Sequence, residues 1–313
     1  MTPPANEDRV ALLALCKIPK VNWYLLAREA QRLGGLARLL HGEVTESSPE
    51  AVAAAEAIRD ALPQRSALVD EAQREIDKAQ AIDARLITVL DEDYPTTLRL
   101  IFNLPPFLFV RGQFDEADLR SVAVVGTRRA SADGVKRSGK MARLLVERGV
   151  TVVSGLARGI DTAAHRAALD AGGRTIAVIG TGIRKCYPAE NRQLAEEIAA
   201  HGALVSQFWP DAPGATYTFP RRNVTMSGIA QGTVVIEASS TSGAKMQARL
   251  ALEHGKKVFL IKSLTESQEW ARTYVEKRGA VMVDEVDDVV RLLAAPERIH
   301  AADNRRAQLA FQF

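Results

Sequence analysis

Cysteine is nearly missing: the 313 residues contain two, Cys16 and Cys186. They fall in different predicted domains, suit a reducing cytoplasm and supply no metal cluster. Aromatic residues are scarce at 5%, which weighs against a nucleic-acid surface built mainly on stacking. No apolar run approaches the ~18 residues of a membrane span, so no membrane partner is expected. The N-terminus, Met1-Thr2-Pro3-Pro4-Ala5-Asn6-Glu7-Asp8, has no basic stretch followed by an apolar core and does not read as a signal peptide. Two phosphate-binding signatures are also missing. No G-x-G-x-x-G follows the first regular strand, where Gly126 leads into Thr127-Arg128, and no G-x-x-x-x-G-K-[ST] occurs. No cofactor is therefore expected. Asp161 and His165 stand at i, i+4 on one predicted helix without a third ligand, so a first-turn or capping role and a packing role explain them better than a metal site. Glu237 ends a predicted strand, but with no partner nucleophile or metal it makes no catalytic case.

What is present is ordinary globular composition, 47% hydrophobic and 25% charged, at a length suited to one large α/β domain and a smaller one. Residues 1–84 read as a helical domain. Val10 to Leu15 is an apolar run, Trp23 to Leu40 carries apolar residues at helical spacing, and Ala51 to Leu62 and Ser66 to Ala81 are further helical runs. Leu86–Leu90 is the first strand signal. Pro105 to Gly112 reads as a lead-in packed on the edge of the main domain. From residue 121 the rhythm is regular. Strands are predicted at Ser121–Val125, Val150–Val153, Thr175–Ile179, Ala203–Ser206, Thr233–Glu237, Lys257–Ile261 and Ala280–Val283, with helices between them. The strands are short unbroken runs rich in β-branched residues, the pattern of strands buried on both faces. Glycines at 149, 172, 202, 232, 255 and 279 precede them, at the expected ends of helices. Alternating units of this length predict a doubly wound, mostly parallel sheet over residues 85–295. Residues 296–313 read as a frayed tail.

In such a sheet the loops at the C-terminal strand ends converge on one crevice. Here they carry Gly126-Thr127-Arg128, Ser154-Gly155 with Arg158, Phe219-Pro220-Arg221-Arg222-Asn223 read as a loop before a helix starting at Val224, and Ser242-Gly243 with Lys245. Glycines admit an anion to the backbone, hydroxyls add donors, and guanidinium forks match phosphate. Net charge is only +3, yet residues 121–230 hold 15 Lys/Arg against 8 Asp/Glu. A basic half in a near-neutral chain points to a polyanion partner.

The ordered motifs Tyr94-Pro95-x-x-Leu98, Val122 to Ser131, Ser154 to His165, Tyr187-Pro188, Phe219 to Asn223 and Val235-x-Glu237-Ala238 resemble the DNA-processing protein A family (DprA/Smf) over about residues 86–292. The resemblance implies an extended Rossmann-like domain that binds single-stranded DNA without catalysis, a homodimer, and assistance to a RecA-type recombinase. It assigns phosphates to Arg128, Arg158, Arg221, Arg222 and Asn223, and a backbone and hydroxyl cradle to Gly126, Thr127, Ser154 and Gly155. Val224 stands where the family pattern has Arg. Ser242-Gly243-Ala244-Lys245-Met246-Gln247-Ala248 replaces the family's Gly-Ser-Leu-Ile-Thr-Ala loop. The N-terminal region resembles a helix-hairpin-helix domain whose hairpin, Ile18 to Asn22, lacks glycines. The chain stops without room for the winged helix of many members. A nucleotide sensor or nucleotide-processing domain with a retuned crevice is the alternative, and an interaction scaffold with a vestigial crevice a third.

Overall fold

The computed structural model describes residues 5–310; residues 1–4 of the expected helical domain and 311–313 of the expected tail lie outside the described residues. The N-terminal part folds as helices Asn6–Lys17, Trp23–Ala30, Gly35–Leu40, Pro49–Ala61 and Arg65–Gln80. Local chemistry sets their starts. Asn22 accepts the Tyr24 and Leu25 N–H groups, and Ser48 accepts that of Ala51 with Pro49 in the first turn. The apolar spacing over Trp23 to Leu40 is divided between two helices by a turn in which the Gly35 N–H donates to Arg32 O at 2.8 Å and Gly34 takes a φ of 67°.

Nine strands form one sheet: β1 Arg85–Thr88, β2 Phe107–Gly112, β3 Ser121–Gly126, β4 Thr151–Ser154, β5 Thr175–Val178, β6 Ala203–Ser206, β7 Gly232–Glu237, β8 Lys257–Ile261 and β9 Val281–Val283. Their spatial order is β1-β2-β6-β5-β4-β3-β7-β8-β9. From β6 to β9 all pairings are parallel, while β1 with β2 and β2 with β6 are antiparallel. The fold is thus the doubly wound α/β, Rossmann-like architecture read from the sequence. The lead-in at Pro105 to Gly112 does more than pack on an edge: as β2 it extends the sheet. Every residue of β4, β5 and β6 is buried, as expected for strands covered by helices on both faces. Gly149, Gly172, Gly255 and Gly279 take left-handed φ values between 66° and 76° ahead of strands. Gly202 and Gly232 serve differently, since a Cβ there would crowd Thr175 O or the Phe259 ring and Lys257 O.

The helical part is pinned to the sheet by aromatic packing. Trp23 lies 5.1 Å from Phe107 and 5.5 Å from Trp209, with Phe107 and Trp209 5.0 Å apart. Lys17 Nζ stands 3.9 Å from the Trp209 ring centre. The segment from residue 296, expected as a frayed tail, is instead a helix, Pro296–Ala310. Its Ile299 is buried and Arg306 donates to Gln31 Oε1 at 3.0 Å, so docking against the body orders it. Among the described residues no helix is long and apolar enough to cross a membrane.

Phe107 is fully buried at the junction of helices and sheet. Phe107→Ala is expected to cost about 3–5 kcal/mol of unfolding free energy, read from the midpoint of urea denaturation. An unchanged midpoint would mean that the aromatic cluster does not hold the two parts together.

Candidate nucleic-acid interface

Chain order reverses between β3 and β7, so β4, β5 and β6 lie to one side of β3, and β7, β8 and β9 to the other. Crossovers leaving these neighbours diverge and open a crevice at their C-terminal ends. A cavity of about 450 Å³ occupies it.

One wall is the loop after β3. The register shifts between Val125 and Gly126 where β3 meets β7, and the Thr127 N–H donates to Glu237 O at 2.7 Å. Ser131 donates through its backbone N–H, at 3.2 and 3.3 Å, and through its hydroxyl, at 2.8 Å, to the Glu237 carboxylate. The same hydroxyl accepts the Gly134 N–H at 2.9 Å and caps the helix Ala132–Glu147. Glu237 therefore clamps this loop, which explains the carboxylate without a base role. The clamp leaves Arg128 and Arg129 exposed at the mouth. The Arg128 guanidinium lies 4.9 Å from the Phe219 ring centre.

The opposite wall is the start of the helix Gly243–Glu253. Ser242 caps it by accepting the Lys245 N–H at 3.2 Å. Ser242 and Gly243 line the cavity, where the first N–H groups and the helix dipole favour an anion. Lys245 does not line it. Its Nζ lies 5.8 Å from the Trp270 ring centre, in an adjoining groove of about 930 Å³.

The back wall corrects the expected loop at Phe219 to Asn223. Those residues are already helical, within Thr218–Ile229. Pro220 is tolerated because first-turn N–H groups have no intrahelical partner to lose. Arg222 and Asn223 are consequently buried, each 6% exposed, rather than displayed on a rim. Both still line the cavity. Arg222 Nη1 donates to Val178 O at 2.9 Å, while its Nε has no partner among the described residues. Burial pulls this guanidinium below its ordinary value; the Asp161 charge opposes that and the Arg128 charge adds to it. Asp161 is its counterpart: burial raises its carboxyl, against the Arg222 charge and the N–H groups of Gly155, at 3.1 Å, and Ala157, at 3.4 Å. A side chain at Gly155 would overlap the Arg222 guanidinium, so glycine is required there for close approach.

The remaining predicted residues separate. Ser154 is fully buried and its hydroxyl donates to Val124 O at 2.7 Å, so it is committed to the sheet rather than to a cradle. Arg158 is exposed but forms a two-point ion pair with Glu190, at 2.7 and 2.6 Å, away from the cavity lining. Arg221 is exposed, 5.9 Å from the Tyr217 ring centre. It faces the helical part, where its charge opposes the upward push of burial on the Tyr24 phenol. Gly126, Thr127, Arg128, Arg222, Asn223, Ser242 and Gly243 are thus brought together, and Ser154, Gly155, Arg158, Arg221 and Lys245 are not among the lining residues. The lining adds Arg129, Phe219, Ser239 and Gln247, which sequence reasoning did not single out as site residues. Gln247 had a usable signal, standing at i+4 from Gly243 on the same helical face.

His165 packs behind this site, fully buried. Thr175 Oγ1 donates its proton to Val152 O at 2.8 Å, so it accepts from His165 Nδ1–H at 2.7 Å. Nε2 is then left unprotonated and without a partner among the described residues.

The model of the family described as DNA recombination-mediator protein A matches residues 85–294. Protein Smf of Escherichia coli K12 is 39% identical over 214 residues, covering 66% of this chain and 56% of that protein. DNA processing protein DprA of Streptococcus pneumoniae R6 is 38% identical over 204 residues, covering 65% of this chain and 72% of that protein. The chain thus spans little more than half the length of the Escherichia coli relative. The solved structure of DprA from Streptococcus pneumoniae superposes with a TM-score of 0.71 at 30% identity, covering 92% of this chain and 98% of that one. A structure that addresses the single-stranded DNA binding mode of DNA processing protein A from Helicobacter pylori gives 0.59 at 25% identity, covering 66% and 95%.

Burial, aided by the nearby Arg222 charge, lowers the His165 pKa to about 3 from 6.5. The unfolded imidazole takes up its proton first as pH falls, so this contribution to stability is present above about 6.5 and is lost toward 3. At full effect the loss approaches about 1.4 kcal/mol per pH unit. The stability advantage of the native protein over His165→Leu should therefore shrink by about 2–3 kcal/mol between pH 7 and 4.5, read by urea unfolding at each pH. A constant difference would place the imidazole in contact with solvent or a proton acceptor.

Proposed function

The chain belongs to the DNA recombination-mediator protein A family, and from that premise we propose that it binds single-stranded DNA through the crevice between β3 and β7. In this reading it acts in the cytoplasm as a binding protein rather than an enzyme, works as a homodimer, protects single strands and assists loading of a RecA-type recombinase. One observation carries the proposal. Exposed Arg128 and Arg129 face a capped helix N-terminus at Ser242-Gly243 across a cavity of about 450 Å³, with the buried Arg222 cation behind it. Each of these features attracts phosphate. The apolar faces of Phe219, Met226 and Met246 in the same lining supply surface for unstacked bases. The relative from Helicobacter pylori, whose structure concerns single-stranded DNA binding, supports the same ligand class. Arg128 keeps the phosphate role that the resemblance implies and Arg129 joins it, while Arg222 supplies field from within.

A nucleotide-sensing role is the second reading, favoured by a cavity at a chain-order reversal, where mononucleotides also bind. It predicts thermal stabilisation by a mononucleotide and none by an oligonucleotide.

The test is fluorescence anisotropy with a labelled strand of about 30 nucleotides and its duplex, over about 50–200 mM salt. The protein should prefer the single strand, with affinity falling steeply as salt rises. Arg128→Ala with Arg129→Ala should weaken binding at least about tenfold and reduce the log–log salt slope by roughly 0.7 for each phosphate no longer neutralised. Unchanged affinity and slope in the double variant would remove the crevice mouth from the interface.

A further inference from the structure

Gln247 stands one turn inside the helix Gly243–Glu253, 1% exposed, on the face that lines the cavity. Both amide atoms are buried, and neither Oε1 nor Nε2 has a hydrogen-bond partner among the described residues. Buried amides are ordinarily paired at both ends, so this one is poised for a ligand group that offers a donor and an acceptor side by side. A phosphate does not, since its oxygens only accept and would leave Oε1 unpaired. A nucleobase edge does. Beside the amide the cavity presents Met226, Met246 and Phe219, apolar and polarisable walls of the kind that hold a flat ring.

We propose that Gln247 reads a nucleobase: one base of the bound strand enters between Met226, Met246 and Phe219, and the Gln247 amide pairs with its edge. The inference rests on the single-strand reading above. The phosphate flanking that base stays at the mouth, with Arg128, Arg129 and the Ser242–Gly243 helix start. Adenine is the favoured occupant. Its N6 amine is flanked by ring-nitrogen acceptors on both sides, so either edge gives the amide two parallel hydrogen bonds, whereas a pyrimidine offers one such edge. The division is therefore between charge at the entrance, which is blind to sequence, and one neutral amide at depth, which is not.

The experiment compares the binding of labelled dA, dC and dT oligomers of about 12 nucleotides at one fixed salt concentration, with the full chain and with Gln247→Leu. Gln247→Met is a second apolar replacement should the leucine variant fold poorly, and thermal denaturation of each free protein checks folding. The native protein should bind the dA oligomer about tenfold more tightly than the others. The variants should bind all three alike, no more tightly than the native protein binds dC or dT, with melting temperatures equal to or above the native value because two unpaired polar atoms are gone. Equal binding of the three oligomers by the native protein, or a dA preference that survives in the variants, overturns the inference and leaves the single-strand reading standing. No binding of any oligomer by the native protein overturns both.

Discussion

The buried Arg222 guanidinium is the constraint on which the crevice depends. Its carrier, the helix Thr218–Ile229, lies against the end of β5, where Arg222 donates to Val178 O. Its path crosses Gly155, where no side chain fits. Its charge is offset by Asp161, whose carboxylate holds the Gly155 and Ala157 N–H groups and so shapes the turn after β4. Removing either charge leaves the other buried with less to offset it. One interaction therefore fixes the turn after β4, the end of β5 and the back of the cavity together. A positive charge held at depth also gives the crevice a field that favours anions.

Around that centre the charged residues divide by task. Arg158 is engaged by Glu190, Arg111 by Glu196 and Arg174 by Asp118. Glu237 is spent on the Ser131 clamp. Arg128 and Arg129 are left exposed at the mouth on the loop that the clamp holds, Arg128 against the Phe219 ring. A rigid scaffold presenting exposed cations suits a partner read mainly through its backbone. Phe219, Met226, Met246 and Gln247 add a neutral part to the same lining.

Much of the sheet was legible because fully buried parallel strands need unbroken apolar runs, and Ala203–Ser206 and Lys257–Ile261 fall where the sequence predicts them. β2 was harder to read. Its neighbours Pro105 and Pro106 signal a loop, and only antiparallel pairing with β1 and β6 makes it a strand. The helix containing Arg222 was misread for a similar reason: Pro220 looks like a break, yet a first helical turn accommodates it. The burial of Arg222, the ion pair of Arg158 with Glu190 and the turn of Lys245 toward Trp270 depend on residues distant in sequence, and no local pattern encodes them. The Pro296–Ala310 helix owes its order to contacts such as Arg306 with Gln31, again beyond local reading. The clustering of Gly126, Thr127, Arg128, Ser242 and Gly243 was legible, because a doubly wound sheet dictates where those loops meet.

The central claim, that the strand lies in the crevice at the reversal of chain order, is tested most directly by hydrogen exchange of the full chain with and without a saturating single-stranded oligonucleotide. The account predicts added protection in the loop Gly126–Ser131 and in the start of the helix Gly243–Glu253, with the aromatic junction around Phe107 unchanged. Protection confined to the N-terminal helices or to the β8–β9 edge, with the crevice loops exchanging as in the free protein, would contradict it.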